Sequence, residues 1–312
     1  MQVHRGIPEQ AETAAVLTIG NFDGVHLGHQ ALLSLLTDKA RALGLPAVVL
    51  TFEPHPREYF SPADAPARLA SLREKLLLLA SAGVDRCHVC RFDKRFASQP
   101  AQAFIDDILV RGLGVRHLFI GDDFRFGARR QGTFAMLRAA GAESGFGVES
   151  MPTLAVAGER VSSSAVRAAL ARSDLAHAAR LLGRPYSIAG RVSHGDKLGR
   201  QLGFPTANIQ MKHRRPALGG VYVVSVEGLA AGPVAGVANI GLRPTATANG
   251  RARLEVHLFD WAQDCYGAHI RVHFLHRLRA EQKFPSLDAL RAQIALDSQA
   301  ARDWLAANPL PA

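Results

Sequence analysis

The chain has 312 residues, of which 48% are hydrophobic and 21% charged, close to the composition of ordinary globular proteins. This composition excludes a disordered chain, a coiled coil and a collagen-like repeat, and the length favours about two domains. No apolar run approaches the ~18 residues of a membrane span, and the N-terminus lacks the apolar core of a secretory signal. Three cysteines are too few for a disulfide framework. We therefore predict a cytoplasmic protein without a membrane partner.

The chain is basic, with a net charge of +10 from 37 basic and 27 acidic residues. Most of the basic residues are arginines, whose planar guanidinium suits bidentate contacts with phosphate. A basic balance is compatible with nucleic acid and equally with small phosphorylated ligands. For most of these arginines a solvated surface is the simpler interpretation.

The first half of the chain alternates strand-like and helix-like patterns. Such alternation predicts a parallel sheet with helices on both faces, a doubly wound α/β domain. The predicted strands are residues 15–19, 47–52, 86–92 and 117–120. The predicted helices cover the stretch up to about residue 43 and residues 71–83, 98–111, 133–144, 163–172 and 174–182.

The pattern changes after residues 183–185, a Gly-Arg-Pro segment. Short strands with alternating apolar and polar residues follow, separated by Gly and Pro, which is typical of an antiparallel sandwich or barrel. These strands are residues 187–193, 220–227, 234–239, 253–259 and 269–275, and an amphipathic helix over 286–307 closes the chain. We predict an α/β domain over residues 1–183 and a β-barrel domain over 184–312.

The turn between the first predicted strand and the first helix contains the most distinctive motif. Residues 20–29 read G-N-F-D-G-V-H-L-G-H. Ligands of a parallel sheet bind at the carboxyl ends of its strands, where helix N-termini favour phosphate. His26 and His29, three residues apart, can project to one side of the helix and donate to a phosphate in its transition state. A metal site or a solvent-exposed pair is the alternative for these histidines.

Three later segments are expected beside this turn. They read T-F-E-P-H-P at residues 51–56, G-D-D-F-R-F-G at 121–127 and V-S-S-S-A-V-R at 161–167. The three serines can cap the helix that follows, and capping alone is the simpler role for them. Arg167, one turn into that helix, can also reach a triphosphate.

Together these segments resemble the nucleotidylyltransferase superfamily and, within it, the branch that adenylylates flavin. The match carries Ser164 at a position where threonine is usual, which retains the hydroxyl group. The resemblance implies an ATP- and phosphate-binding site formed by Gly20, Phe22, Asp23, Gly24, Gly28, Asp123, Ser162, Ser163, Ser164 and Arg167, with His26 and His29 as catalytic residues. It also implies flavin contacts from Pro56 and from Arg68, which opens the segment R-L-A-S-L-R-E-K.

The barrel half contains a loop rich in glycine, G-D-K-L-G-R-Q-L-G-F-P-T-A-N, over residues 195–208. Such a loop can cover phosphates with backbone N–H groups, and the oxygens of Thr206 and Asn208 suit a hard cation such as Mg²⁺. The loop is not a Walker motif, because G-x-x-x-x-G-K-[ST] is absent. A β-turn without a ligand is the alternative interpretation.

A predicted strand carries one carboxylate, Glu255, among alternating apolar residues. On pattern alone Glu255 belongs to a polar outer face exposed to solvent. A catalytic role would require Glu255 to lie in a cleft and accept a hydroxyl proton.

The order of motifs in this half resembles riboflavin kinases, and residues 14–304 as a whole resemble the bacterial bifunctional family of riboflavin kinase and FMN adenylyltransferase, or FAD synthetase. The resemblance implies that the chain converts riboflavin to FMN with Mg²⁺ and ATP, and FMN to FAD with release of pyrophosphate. It implies Glu255 as catalytic base and Thr206 and Asn208 as metal-binding residues. It further implies phosphate contacts from Gly199, Arg200, Gly203 and Pro205, and flavin contacts from Arg279 and Phe284.

Two other functions are weighed against this one. The first is an adenylyltransferase of another phosphorylated acceptor with a passive barrel, which has no need for a base such as Glu255. The second is a nucleic-acid-binding protein, suggested by the charge and the small barrel. Aromatic residues make up only 7% of the chain, so no base-stacking platform is evident, and we expect no nucleic-acid partner.

The pair Cys87 and Cys90 has the C-x-x-C spacing of redox and zinc sites. No second pair completes four zinc ligands, and the two thiols lie within a predicted strand instead of at a helix N-terminus. We predict a structural role for both cysteines.

Overall fold

A computed structural model describes residues 1–121, 123–195, 199, 202–211, 215–242 and 252–310 of the chain. The chain forms two compact units. The first unit comprises Met1–Pro66 and Leu72–Ser162, and the second comprises Ala67–Ser71 and Ser163–Ala312. The two units therefore divide at residue 162, and the domain boundary expected at residue 183 stays a prediction.

The first unit is built on six parallel strands. They are β1 (Gln2–Arg5), β2 (Ala15–Ile19), β3 (Ala47–Glu53), β4 (Arg86–Arg91), β5 (Val115–Gly121) and β6 (Gly147–Met151). Their order across the sheet is β1-β4-β3-β2-β5-β6, and each neighbouring pair is parallel. Because β3 and β5 lie on opposite sides of β2, the strand order reverses at β2, as in a doubly wound fold.

Helices cover both faces of this sheet. They are α1 (Leu27–Leu43), α2 (Pro56–Phe60), α3 (Leu72–Ser81), α4 (Lys94–Ala97), α5 (Ala101–Ala103), which continues as a π-helical stretch over Phe104–Gly112, and α6 (Phe134–Ser144). On one face α1 and α3 supply Leu33, Leu36 and Leu79 to a buried core. On the other face the π-helical stretch supplies Phe104 and Leu109 to a second core. The doubly wound α/β prediction is confirmed.

The sequence patterns predicted four of the six strands. Both missed strands, β1 and β6, lie at the edges of the sheet. Every side chain of β1 is exposed, and none of the side chains of β6 is fully buried. Neither strand therefore shows the apolar run by which buried parallel strands are recognised. A small hairpin of β7 (Ala155–Val156) and β8 (Glu159–Arg160) follows the sheet.

In the part of the second unit that the structure describes, a closed barrel of six strands is accompanied by three full helices. Its elements are α7 (Ser163–Ala171), α8 (Leu175–Leu182), β9 (Ser187–Ser193), β10 (Thr206–Ile209), β11 (Gly220–Glu227), β12 (Val234–Leu242), β13 (Ala252–Leu258), β14 (His269–Arg279) and α9 (Leu287–Ala307). The strand order is β10-β13-β12-β11-β14-β9, and every neighbouring pair is antiparallel. The barrel and the closing helix were predicted, whereas the short strand β10 was not.

Helices α8 and α9 are held against the barrel. Helix α8 contacts β14 and buries Leu181 and Leu182. Arg279, at the end of β14, forms a bidentate ion pair with the buried Asp297 of α9, with Nε and Nη2 at 2.9 and 2.7 Å from the carboxylate oxygens. No helix among the described residues is both long and apolar enough to cross a membrane.

Candidate active sites

The first unit contains a cleft of about 1210 Å³ at the carboxyl ends of its strands. It is lined by the residues that follow β2, β3 and β5, which are neighbours in the sheet. Ligands of open α/β sheets bind at this place, where the strand order reverses. The predicted residues Gly20, Phe22, His26, Gly28, His29, Pro56, Asp123 and Ser162 line the cleft.

The turn after β2 has an unusual backbone. Phe22 and Val25 have φ angles of 47° and 40°, in the left-handed region that non-glycine residues rarely adopt. Both side chains are buried, together with the carboxylate of Asp23. Burial of Phe22 and Val25 stabilises a turn that the local sequence alone would disfavour. The turn thereby delivers His26 to the start of α1.

His26 is the N-cap of α1. Its Nδ1 accepts a hydrogen bond from the backbone N–H of His29 at 3.3 Å. Because Nδ1 is the acceptor, the neutral ring carries its proton on Nε2. The rings of His26 and His29 are stacked with centroids 3.7 Å apart. Both rings therefore stand beside the backbone N–H groups of the first turn of α1, which favour an anion.

His29 is held neutral by its surroundings. Burial, followed by the neighbouring His26 and Lys75, keeps the pKa of His29 well below its ordinary value. Nδ1 of His29 is inaccessible and has no hydrogen-bond partner among the described residues, so Nε2 is the nitrogen left to face the cleft. Lys75 of α3 is itself buried and donates from Nζ to Thr51 Oγ1 at 3.4 Å. The sequence motif included Lys75 without a role for it.

The alternative interpretation, a metal ion bound by the two histidines, requires further ligands. Among the residues that the structure describes, no group of three or more His, Cys, Asp or Glu side chains is arranged to hold a metal ion. His26 Nδ1 is already engaged as the helix cap. Nδ1 of His26 is therefore not available as a metal ligand.

Two further features of the cleft escaped the sequence analysis. The first is a group of aromatic side chains in mutual contact, formed by Phe52, Phe60, Phe92, Phe96, Phe104, Phe124 and Phe126. The second is a group of arginines, Arg57, Arg125, Arg129, Arg130 and Arg160. The first and last members of the aromatic group are 74 positions apart in sequence, so no local pattern could join them.

The remaining residues predicted for this site are not among those that line the cleft. Asp23 and Gly24 are buried in the turn and do not line the cleft. Arg68, Ser163, Ser164 and Arg167 belong to the second unit. There, Arg167 donates from Nε to the carbonyl oxygen of Ala67 at 2.6 Å. Their role in adenylyl transfer stays a prediction.

Three of the residues predicted for the second site, Thr206, Asn208 and Glu255, lie on two neighbouring strands of the barrel. Asn208 on β10 is paired with Glu255 on β13, and Glu255 is paired with Asn239 on β12. Thr206 is paired with His257 in the same sheet. These side chains alternate with buried apolar ones such as Val256, so they share the outer face of the barrel.

The glycine-rich loop approaches this outer face. A Cβ atom on Gly195 would overlap the side-chain amide of Asn208, and one on Gly199 would overlap the carbonyl oxygen of Phe204 and lie 3.2 Å from Thr206 Oγ1. At both positions only glycine allows the loop backbone to lie this close to its neighbours. Phe204 N–H donates to the carbonyl oxygen of Gly199 at 2.7 Å and closes the turn that contains Gly203. Arg200 lies outside the described residues.

The donor atoms of this face fit a magnesium ion. Oδ1 of Asn208 is buried and accepts no hydrogen bond from any described residue. A buried amide oxygen without a partner is costly, and a hard cation is one ligand that would satisfy it. The hydroxyl oxygen of Thr206, two residues earlier on the same face of β10, is of the same chemical type.

Glu255 is partly accessible, with 29% of its side chain exposed. Its carboxylate lies 2.9 Å from Nη1 of Arg253, two residues earlier on β13. The pattern was therefore right that Glu255 points away from the barrel core. The strand register adds that Glu255 stands between Asn208 and Asn239, two residues with amide side chains.

Arg279 and Phe284 were expected near a flavin. The guanidinium of Arg279 is bound to Asp297 and lies 5.5 Å from the centre of the Phe284 ring. These contacts fasten α9 to the barrel. A flavin contact of either residue stays a prediction.

Cys87 and Cys90 are free thiols, both buried within β4. Burial raises the pKa of each thiol to about 12. A thiol with this pKa is protonated at neutral pH and is a poor nucleophile and metal ligand. This supports the structural role expected for the pair.

Comparison with known proteins assigns a family to each half of the chain. A family model described as FAD synthetase matches residues 8–165. A second model, described as riboflavin kinase, matches residues 182–305. The first match covers strands β2 to β6 and the cleft, and the second covers the barrel and most of α9.

Relatives match the chain over almost its full length. Proteins named bifunctional riboflavin kinase/FMN adenylyltransferase from Escherichia coli (strain K12) and Pseudomonas fluorescens are both 52% identical, over 97% of this chain and 98% and 97% of their own. The Haemophilus influenzae protein of the same name is 51% identical over 97% of this chain and 98% of its own.

A crystal structure from Streptococcus pneumoniae has the same fold. It was solved under the name macrolide-efflux protein and superposes with a TM-score of 0.79 at 30% identity, covering 97% of this chain and all of that one. We do not assign efflux to this chain, because the full-length relatives and both family models are named for flavin chemistry. The chain belongs to the family of bifunctional riboflavin kinase/FMN adenylyltransferases.

Proposed function

We propose that the chain makes FMN and FAD in two successive reactions, one in each half. The barrel half transfers the γ-phosphate of ATP to the 5′-hydroxyl of riboflavin, giving FMN and ADP. The sheet half joins the FMN phosphate to the α-phosphate of a second ATP, giving FAD and pyrophosphate. The observation that carries this proposal is that the kinase and synthetase models match successive halves of one chain.

In the kinase reaction, Glu255 accepts the proton of the riboflavin hydroxyl as the oxygen attacks phosphorus. Its place beside Asn208 on a partly open face supports this role. Backbone N–H groups of the loop around Gly199 and Gly203 contact the ATP phosphates. Thr206 and Asn208 hold Mg²⁺, which when bound offsets phosphate charge in phosphoryl transfer.

In the adenylyl transfer, His26 donates from Nε2 and His29 from its own Nε2 to the oxygens of the α-phosphate. The phosphate of FMN is itself the nucleophile, so no covalent enzyme intermediate is needed. Negative charge grows on the α-phosphate in the transition state, where fixed donors and the N-terminus of α1 stabilise it. Burial of the neutral ring of His29 beside Lys75 supports a preorganised site.

The flavin ring of FMN fits the aromatic side of the same cleft. Pro56, Phe60, Phe124 and Phe126 all line the cleft. A planar aromatic ring stacks favourably against such side chains. The contacts proposed from Arg68, Arg279 and Phe284 rest on the family resemblance alone.

Incubation of the full chain with riboflavin, ATP and Mg²⁺, followed by chromatography, tests the proposal. We expect FMN to appear first and FAD to follow, and EDTA to stop FMN formation. Failure to form either flavin nucleotide would contradict it. A filter-binding assay with RNA at two salt concentrations tests the expectation of no nucleic-acid partner, because phosphate-backbone binding falls steeply with salt. The cytoplasmic location stays a prediction.

A further inference from the structure

A short closed loop, residues 126–132, follows the end of β5 and forms part of the cleft wall. Its ends are joined, since Gly132 N–H donates to the carbonyl oxygen of Phe126 at 2.8 Å. Its middle is fastened from outside, since Ala128 N–H donates to the carbonyl oxygen of Gln99 at 2.7 Å. The loop therefore has a defined backbone, and Arg129 and Arg130 stand at its tip.

Both tip residues have strained backbone angles. Arg129 has a φ of 54° and Arg130 a φ of 59°, and neither is a glycine. Two consecutive long side chains in the left-handed region are disfavoured by contact between Cβ and the backbone. Such strain persists where surrounding structure enforces it, and it is concentrated at ligand-binding sites. Backbone strain by itself does not identify a ligand. The positive charge of the two arginines indicates an anion.

The positive charges at the tip are not neutralised. Arg129 and Arg130 both line the cleft, and the guanidinium group of neither has an ion-pair or hydrogen-bond partner among the described residues. Arg160, which lines the same cleft, pairs with Asp123 at 3.2 Å. The loop thus presents two guanidinium groups to a cleft that is also lined by residues of the anion-favouring N-terminus of α1.

We propose that Arg129 and Arg130 bind a phosphate group of the substrates in this cleft. The group is either the phosphate of the FMN acceptor or the β- and γ-phosphates of ATP that leave as pyrophosphate. Guanidinium groups bind both through the same bidentate hydrogen bonds. The inference rests on the proposed adenylyl transfer and adds two substrate-positioning residues that no motif contained.

The test is steady-state FAD formation by Arg129→Asn, Arg130→Asn and the double variant. Asparagine tolerates positive φ and carries no charge, so the loop is expected to keep its shape. We expect the double variant to raise one KM about 10- to 100-fold, the loss typical of a charge-assisted hydrogen bond. A rise in the KM for FMN identifies the acceptor phosphate, and a rise in the KM for ATP identifies the triphosphate.

Controls separate charge, fold and chemistry. Arg138→Gln removes an exposed arginine of α6 outside the cleft and is expected to leave both KM values unchanged. Arg130→Lys keeps the charge and is expected to recover part of the loss. The melting temperature of Arg129→Asn is expected to match or exceed that of wild type, because backbone strain is relieved. Both KM values within twofold of wild type in the double variant would overturn the inference.

Direct binding distinguishes failure of the inference from failure of the proposed function. Calorimetric titration of the full chain with inorganic pyrophosphate and with FMN needs no turnover. If wild type forms no FAD, the proposal of adenylyl transfer is wrong. The inference about Arg129 and Arg130 then stands only if pyrophosphate or FMN binds wild type at least tenfold more tightly than the double variant. If wild type forms FAD and the variants bind and react normally, the inference alone is wrong.

Discussion

The two sites of this chain present their functional side chains in opposite ways. In the first unit β2 is buried along its whole length, and the side chains that form the cleft come after the strand ends. In the second unit the proposed side chains lie on the strands themselves, at alternate positions of β10 and β13. A parallel sheet covered on both faces leaves only the ends of its strands for chemistry, whereas a barrel leaves its outer surface.

This difference decides how visible each site is in the sequence. A loop at a strand end carries a dense motif of glycines, histidines and acids, which has no counterpart in ordinary turns. A functional residue on a barrel strand obeys the same alternation as a solvent-exposed one. Glu255 is therefore indistinguishable from a surface glutamate until the register places it between Asn208 and Asn239.

The largest expected effect tests the barrel site. Glu255→Gln keeps the size of the side chain and removes the proton acceptor. If Glu255 is the general base, turnover of riboflavin to FMN should fall by roughly 10²–10⁴. A solvent-exposed glutamate would give almost no change, since such substitutions rarely exceed about 0.5 kcal/mol.

Arg253→Gln is the matched control for this variant. It breaks the same ion pair at 2.9 Å but keeps the carboxylate. A purely structural pair predicts similar losses for both variants, whereas a base predicts a much larger loss for Glu255→Gln. Formation of FAD from supplied FMN should be normal in both. Retention of more than about a third of kinase turnover in Glu255→Gln would remove the general-base assignment.

The second prediction concerns the cleft. His26→Ala or His29→Ala should lower conversion of FMN to FAD by about 10²–10³ and leave riboflavin phosphorylation nearly intact. His26 also caps α1, so its loss carries a stability cost of about 1 kcal/mol. His26→Asp separates the two roles because aspartate caps a helix but offers no N–H donor.

If His26→Asp restores FAD formation, His26 acts only as a helix cap. An unchanged rate of FAD formation in the double alanine variant would show that both histidines are turn residues. Riboflavin phosphorylation in the same samples reports whether the chain is folded.

Much of the fold was predictable because local patterns and tertiary structure agree. The predicted helices over 133–144 and 286–307 begin at Thr133 and Ser286, both of which are N-caps in the structure. The buried runs of β2 and β3 were recognised for the same reason. Strand β1 was missed because all of its side chains are exposed. It pairs with β4 through its backbone, so its sequence shows no apolar pattern.

The candidate sites were predictable only where a motif is contiguous. His26 and His29 share one helical turn, so spacing alone suggested their contact. Lys75 reaches Thr51 from 24 residues away, and the residues of the aromatic cluster converge from four separate segments. Long-range convergence of this kind is a property of the folded chain, and no single-sequence pattern encodes it.

The third prediction tests whether the barrel site works alone. Residues 184–312 contain the whole barrel and α9, and we expect this fragment to fold and make FMN. Residues 163–312 also contain α7 and α8, with Leu181 and Leu182 buried in the same unit. We expect the longer fragment to be more stable by about 3–6 kcal/mol, from the burial of two leucine side chains.

Urea denaturation of both fragments measures this difference, and chromatography measures FMN. A longer fragment that is no more stable would show that α8 contributes little to the barrel unit. A folded fragment of either length that makes no FMN would contradict the independence of the kinase half.

The smallest expected effect is the pH dependence of stability that His29 confers. The pKa of His29 is lowered in the folded chain, by burial first and then by His26 and Lys75, while the unfolded chain restores its ordinary value of about 6.5. As the pH falls below about 6.5, the unfolded chain binds a proton that the folded chain excludes. The free energy of unfolding should therefore decrease, by at most about 1.4 kcal/mol per pH unit for this group.

His29→Gln removes this contribution. Burial also lowers the pKa of His88 and His117, but both residues are present in wild type and variant, so the difference between the two proteins isolates His29. Urea denaturation from pH 8 to pH 5 should show a shallower loss of stability in the variant, whatever its stability at pH 8. Parallel curves would mean that His29 is protonated equally easily in both states, and the picture of a neutral, preorganised ring in the cleft would have to be given up.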